Sequence, residues 1–149
     1  MYTPIIQPAD LKTHIYAEII TEITRADSTI VTKAIDAGIN EVKIYLERYD
    51  KVQLFGDANL DSAATINDEF LRDLCKDVIM WKLIKLANPN VDSGHIRQSY
   101  EDALETLKRI QKGVAAPPGW PYLDTTGDAA TPPGNYITIQ ANPKRTNDY

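Results

Sequence analysis

The chain has 149 residues, 43% of them hydrophobic and 25% charged, and its formal net charge is −5. These values predict a soluble single domain with its own core, and no apolar run approaches the roughly 18 residues of a membrane span. Residues 1–113 carry 14 basic and 18 acidic side chains, which argues against an ordinary DNA binder because such proteins need cations to displace counterions from phosphate.

The first predicted helix begins near Asp10, where apolar residues start to recur every four positions from Leu11 to Ile23. Its many Ile and Thr residues lower the intrinsic helicity, so we expect a break near Ala17. The start of the chain lacks the basic and apolar regions of a secretory signal.

The second predicted helix is capped by Asp27 and Ser28 and runs to about Tyr49. Gly38 lies inside its apolar arc, where glycine costs about 1 kcal/mol relative to alanine. We expect another helix to approach closely at that position. Residues 51–66 follow without a sustained period, which predicts an ordered loop with a short strand over residues 52–55.

The third predicted helix, over residues 67–87, is the most apolar element, with Asn67 as its expected cap. Its apolar residues cover an arc of about 220° at 100° per residue, so its own chain or a neighbouring copy must surround it. The candidate subunit interface on this arc consists of Ile79, Lys82, Leu83 and Leu86. For Lys82, extension of the side chain along the surface into water is the simpler interpretation, and a charged contact at a subunit boundary is the alternative.

A fourth helix is predicted between Asp92 or Ser93 and Gly113, because residues 88–90 contain a proline stop. Its apolar arc of about 120° is typical of a half-exposed helix. After Gly113, residues 114–149 hold six of the nine prolines and only five charges. We therefore expect an all-α bundle of about four helices over residues 1–113 and an extended arm over residues 114–149.

The arm has aromatic and apolar residues that could anchor it on a partner surface. The candidate partner-binding residues are Trp120, Pro121, Tyr122, Tyr136, Ile137 and Ile139. A free monomer could hardly offset the roughly 1–2 kcal/mol per residue that ordering such a segment costs.

No catalytic or metal-binding pattern emerges from the sequence, so we expect no enzyme activity, no metal and no cofactor. His14 and His95 lack a second ligand at metal-binding spacing. Glu69, Asp73 and Asp77 recur on one helix face, but Arg72 and Lys76 lie between them, as on a solvated face. The lone cysteine, Cys75, is expected to be a small core residue, and a single cysteine suits a reducing compartment.

Residues 34–50 resemble a recurrent pattern of bacteriophage head–tail connector proteins, the helical neck adaptors that include the Mu-like kind. The matching residues are Ala34-Ile35, the small Gly38, the acidic–aliphatic pair Glu41-Val42, Tyr45-Leu46 and Arg48-Tyr49. Three further elements agree in order: the opening pair at residues 10–11, the apolar helix at residues 70–86 and the closing helix at residues 100–113.

The resemblance implies a structural virion protein at the head–tail junction, made in the cytoplasm of the host bacterium. Members of such a family form a ring, usually of twelve copies, under the portal and bind the next neck or tail component below. DNA passes through the ring without sequence-specific binding, and the C-terminal arm commonly reaches the portal. The resemblance implies no membrane contact.

Two alternatives stay open on the residues alone. The first is a small helical DNA-binding or regulatory module, because two predicted helices joined across residues 88–93 resemble a helix-turn-helix. Glu101, Asp102 and Glu105 on the second helix argue against DNA binding. A metal-dependent hydrolase would use the face of Asp73 and Asp77.

Overall fold

The structure, a computed structural model, describes residues 1–87 and 94–123. Five α-helices follow a short 3₁₀ turn at Pro8–Thr13, and within these described ranges there is no β-strand, only two isolated bridges. The helices are α1 (Ala17–Thr24), α2 (Ser28–Tyr45), α3 (Lys51–Phe55), α4 (Glu69–Ala87) and α5 (Gly94–Gln111). The prediction of an all-α fold is confirmed. The predicted proline stop and the residues Asp92 and Ser93 lie outside the described residues.

The N-terminal part is divided in two, close to the predicted break. Gln7 and Asp10 cap the start of the 3₁₀ turn. The Gln7 amide donates to the side chain of Asp10, and the Asp10 amide donates to the carbonyl of Gln7. Tyr16 is then extended, with φ −66° and ψ 142°, and α1 starts after it. Left-handed backbone at Arg25 and Ala26 ends α1 and lets Asp27 cap α2 through a 2.9 Å bond from the Thr29 amide.

Among the described helices, α2 and α4 make the most extensive contact, and they approach each other closely at Gly38. A Cβ atom built on Gly38 would lie 2.4 Å from Cγ1 and 3.0 Å from Cα of Ile79. This is the close approach that the buried glycine predicted. Helix α2 ends at Tyr45 rather than near Tyr49, because the Leu46 amide bonds the carbonyl of Lys43 and closes a tighter turn.

The predicted strand at residues 52–55 is wrong, because that segment forms α3. Asp50 caps this short helix through bonds of 3.0 Å from the Val52 amide and 3.2 Å from the Gln53 amide. The loop after it returns to α3, where the amides of Thr65 and Ile66 both donate to the carbonyl of Gln53. A good capping residue therefore outweighed the β-propensity of valine and phenylalanine.

Helix α4 is enclosed by its own chain along most of its length. Its cap is Asp68, not Asn67, since Asp68 Oδ1 accepts a 2.9 Å bond from the Phe70 amide. The buried residues of the helix are Leu71, Leu74, Cys75, Lys76, Val78, Ile79, Met80, Leu83 and Ile84. Helix α2, helix α5 and the N-terminal segment cover the wide apolar arc, and only its two ends, Phe70 and Leu86, remain exposed.

Candidate partner-binding surface

The first residues of the predicted arm are part of the folded body. The chain turns back after α5 and pairs with the segment that follows α2, through a bridge between Tyr49 and Tyr122. The Asp50 amide donates to the carbonyl of Pro121 at 2.9 Å, and the Leu123 amide donates to the carbonyl of Arg48 at 2.9 Å. The described part of the predicted arm, up to Leu123, is therefore packed on the helical body, and residues 124–149 lie outside the described residues.

Trp120 is a core residue, which corrects its assignment as an anchor for a partner. Its side chain is only 4% exposed, and its ring lies 5.5 Å from the ring of Tyr49 and 6.3 Å from that of Phe70. The indole N–H donates to Oδ2 of Asp68, the residue whose other oxygen caps α4. Asp68 thereby ties the end of the described chain to the start of its central helix.

The remaining predicted arm residues have different positions. Tyr122 is half-buried and stacks on Tyr49 with ring centroids 5.0 Å apart, while Pro121 is held by its carbonyl. Tyr136, Ile137 and Ile139 lie outside the described residues, so their role as partner contacts stays a prediction.

Two of the four predicted subunit-interface residues are wrong. Ile79 and Leu83 have 0% exposure within one chain, so neither has surface to offer a neighbouring copy. Lys82 forms an ion pair inside the chain, with Nζ 2.8 Å from Oε2 of Glu41. Leu86 is 54% exposed and stays available for a contact between copies.

A polar cluster at the junction of α2, α4 and α5 explains the position of Lys82. The Tyr100 hydroxyl donates to Oε1 of Glu41 at 2.7 Å, opposite the Lys82 pair. The ring of Tyr100 stacks on Trp81 with centroids 5.6 Å apart. Burial, reinforced by the hydrogen bond to Glu41, raises the pKa of Tyr100 to about 12. Through these contacts, Tyr100 connects α5 to α2 and α4.

The two histidines lie closer together than their sequence positions indicated. His14, Asp77 and His95 line one small cavity of about 50 Å³, and His14 Nε2 lies 3.1 Å from Oδ1 of Asp77. The break between the 3₁₀ turn and α1 brings His14 to α4, and no sequence pattern indicated this. In the part of the chain that the structure describes, no three or more His, Cys, Asp or Glu side chains could hold a metal ion.

The carboxylates on the face of α4 are each paired with a basic neighbour. Asp73 lies 3.8 Å from Lys76, Glu69 lies 3.7 Å from Arg72, and Asp77 pairs with His14. These contacts do not bring the carboxylates together for acid–base work.

One apolar cleft opens beside Trp120. It has a volume of about 570 Å³ and lies between residues 66–70, at the start of α4, and residues 117–120. Phe70 lines it and is 47% exposed, although it belongs to the most buried helix. A cleft of this size and lining can accept an apolar side chain or a short peptide segment.

None of the helices in the described ranges has the length and apolarity that crossing a membrane requires. Comparison with protein-family models, curated proteins and solved structures finds no match to this chain.

Proposed function

We propose that the chain is a structural virion protein, a bacteriophage head-to-tail adaptor that forms a ring under the portal. The observation that carries the proposal is the pattern of residues 34–50, together with the order of the helices around it. In the folded chain this segment supplies most of α2, and its matching positions Ala34, Ile35, Gly38 and Val42 are buried. The all-α body built on α2, α4 and α5 supports the same assignment.

Exposed apolar side chains offer a place for the contact between copies. Ile44 lies inside the matching segment and is 61% exposed, so its side chain is accessible to a neighbouring copy. Leu86, near the end of α4, is the exposed member of the original interface set. We place the lateral contacts of the ring at these two positions, where burial by a neighbour removes apolar surface from water.

The charge of the chain supports a channel through which DNA slides. A net charge of −5 repels phosphate at long range and so avoids a tight grip on passing DNA. On α5, Arg97 pairs with Glu101 at 2.9 Å and Arg109 pairs with Glu105 at 2.6 Å. These pairs do not favour the alternative of a DNA-binding module.

The partners are the copies of the ring, usually twelve, the portal protein above and the next neck or tail component below. The protein is located at the head–tail junction of the virion, and it is synthesised in the cytoplasm of the host bacterium. Residues 124–149 are the part of the arm available to reach the portal.

The test is electron microscopy of the chain mixed with the portal protein of the same phage. We expect the full chain to form a ring on the portal and a chain ending at Leu123 to stay folded but not attach. Truncation at Gly113 is unsuitable because it removes Trp120 from the core. Normal docking of the chain that ends at Leu123 would contradict the role of the arm.

Variants at the proposed lateral contact provide a second, independent readout. Ile44→Asp and Leu86→Asp should prevent ring formation because each places a charge in an apolar contact. Thr32→Asp is the matched control, since Thr32 is an exposed residue about three turns before Ile44 on another face of α2 and gains the same charge. Rings that form equally well with all three variants would rule out this interface.

A further inference from the structure

The apolar cleft beside Trp120 lacks an occupant among the described residues. Its floor is made by the rings of Phe70 and Trp120, 6.3 Å apart at their centroids. Ile66, Pro117 and Pro118 complete the walls. Nearly half of the Phe70 surface is exposed, and covering it with apolar groups is favourable because it removes apolar surface from water.

The chain itself supplies a segment of matching character close by. Leu123, three residues after Trp120, donates a backbone hydrogen bond to the carbonyl of Arg48. Residues 124–149 follow it in the sequence. Residues 135–140 alternate polar and apolar side chains, with Ile137 and Ile139 on one side of an extended chain.

The tether is long enough for this segment to reach the cleft of its own chain. Residues 124–135 span at most roughly 40 Å when extended, which is about the diameter of a domain of this size. A tether of this length also keeps the segment at an effective concentration in the millimolar range. Binding within one chain is therefore favoured over binding between copies at micromolar protein concentration.

Charge complementarity supports the same placement. Asp68 and Glu69 line the cleft at the start of α4, and the side chain of Glu69 is 73% exposed, with a long ion pair of 3.7 Å to Arg72. Lys144 and Arg145 follow the apolar segment within a few residues. A segment seated in the cleft brings these cations to the acidic side of α4.

We propose that residues 135–140 of the chain's own C-terminal segment occupy this cleft, with Ile137 and Ile139 against the exposed face of Phe70, beside Trp120. Lys144 and Arg145 then face the carboxylates of α4. The inference does not depend on the adaptor function. If the chain is an adaptor, the cleft holds the segment until a partner displaces it.

A spin label on the segment tests this contact in the full-length protein without any partner. The label is attached to the Thr138→Cys variant, because the native Cys75 is fully buried and does not compete for the reagent. We expect the label to remove the indole N–H signal of Trp120 from the nitrogen–proton NMR spectrum. The signal of Trp81, eleven residues after Phe70 and so about 16 Å further along α4, should be much less affected.

Two pairs of substitutions that add the same charge distinguish binding of the segment in the cleft from nearness caused by the tether alone. Ile137→Asp with Ile139→Asp should restore the Trp120 signal in the labelled chain. Thr125→Asp with Thr126→Asp, in the tether, should leave the signal lost.

The inference is overturned if the label spares the Trp120 signal or if both pairs restore it equally. A mixture of two chains gives the last outcome: one chain is isotope-enriched and carries no spin label, and the other is spin-labelled. The inference is also overturned if the Trp120 signal is lost only in that mixture. That last result would assign the segment to a second copy.

Discussion

Replacing Trp120 with alanine tests whether the start of the arm belongs to the core. Burial of a tryptophan removes about 150–250 Å² from water, worth about 4–6 kcal/mol at 25 cal/mol per Å². The compact unfolded state lowers this value. We therefore expect Trp120→Ala to reduce the free energy of unfolding by about 3–5 kcal/mol. At roughly 3–4 °C per kcal/mol for a domain of this size, the melting temperature should fall by about 10–20 °C.

The assay is urea unfolding followed by circular dichroism, supported by calorimetry. Trp120→Phe separates the two parts of the effect, since it keeps an aromatic ring near Tyr49 but removes the donor to Asp68. That variant should lose about 1–2 kcal/mol. Val114→Ala is the control, because Val114 is 78% exposed in the same segment. A loss below about 1 kcal/mol for Trp120→Ala, the size of a surface effect, would refute the core assignment.

Three further predictions concern the helical body. Gly38→Ala should lower the free energy of unfolding by about 1–3 kcal/mol, because its Cβ would lie 2.4 Å from Ile79 Cγ1; an unchanged melting temperature would show that α2 and α4 are further apart. The pKa of Tyr100 rises from 10.0 to about 12 through burial and the bond to Glu41, so its contribution to stability is complete below pH 10 and disappears as the pH rises through 12. Melting temperatures measured between pH 9 and 12 should therefore fall, and less steeply for Tyr100→Phe; equal slopes would remove Tyr100 as a cause. Burial also raises the pKa of Cys75 to about 12, so a thiol reagent should react only after unfolding, and rapid labelling of the native protein would contradict its burial.

Periodicity predicted the long helices because their apolar faces meet one another. The buried positions of α2 repeat at helical spacing, and Gly38 indicated a close contact with another helix in advance. The wide arc of α4 was also predicted correctly as a surrounded face. Periodicity could not show whether the chain itself or a second copy surrounds it, and this is why Ile79 and Leu83 were placed at a subunit interface.

The errors at the candidate site come from contacts between residues far apart in the sequence. Trp120 sits among prolines, a composition that predicts an extended segment, yet Asp68 and Tyr49 hold it in the core. Neither partner is near it in the chain, so no local pattern indicated the contact. The helix at residues 51–55 escaped periodicity for a different reason: its five residues are too few to show a helical repeat.

The proposed function requires copies of this chain to assemble into a ring beneath a portal. Electron microscopy of intact virions, with an antibody fragment against the chain, tests it most directly. We expect a ring of antibody density at the head–tail junction, at the level just below the portal. Density elsewhere in the particle, or virions that contain none of the chain, would contradict it.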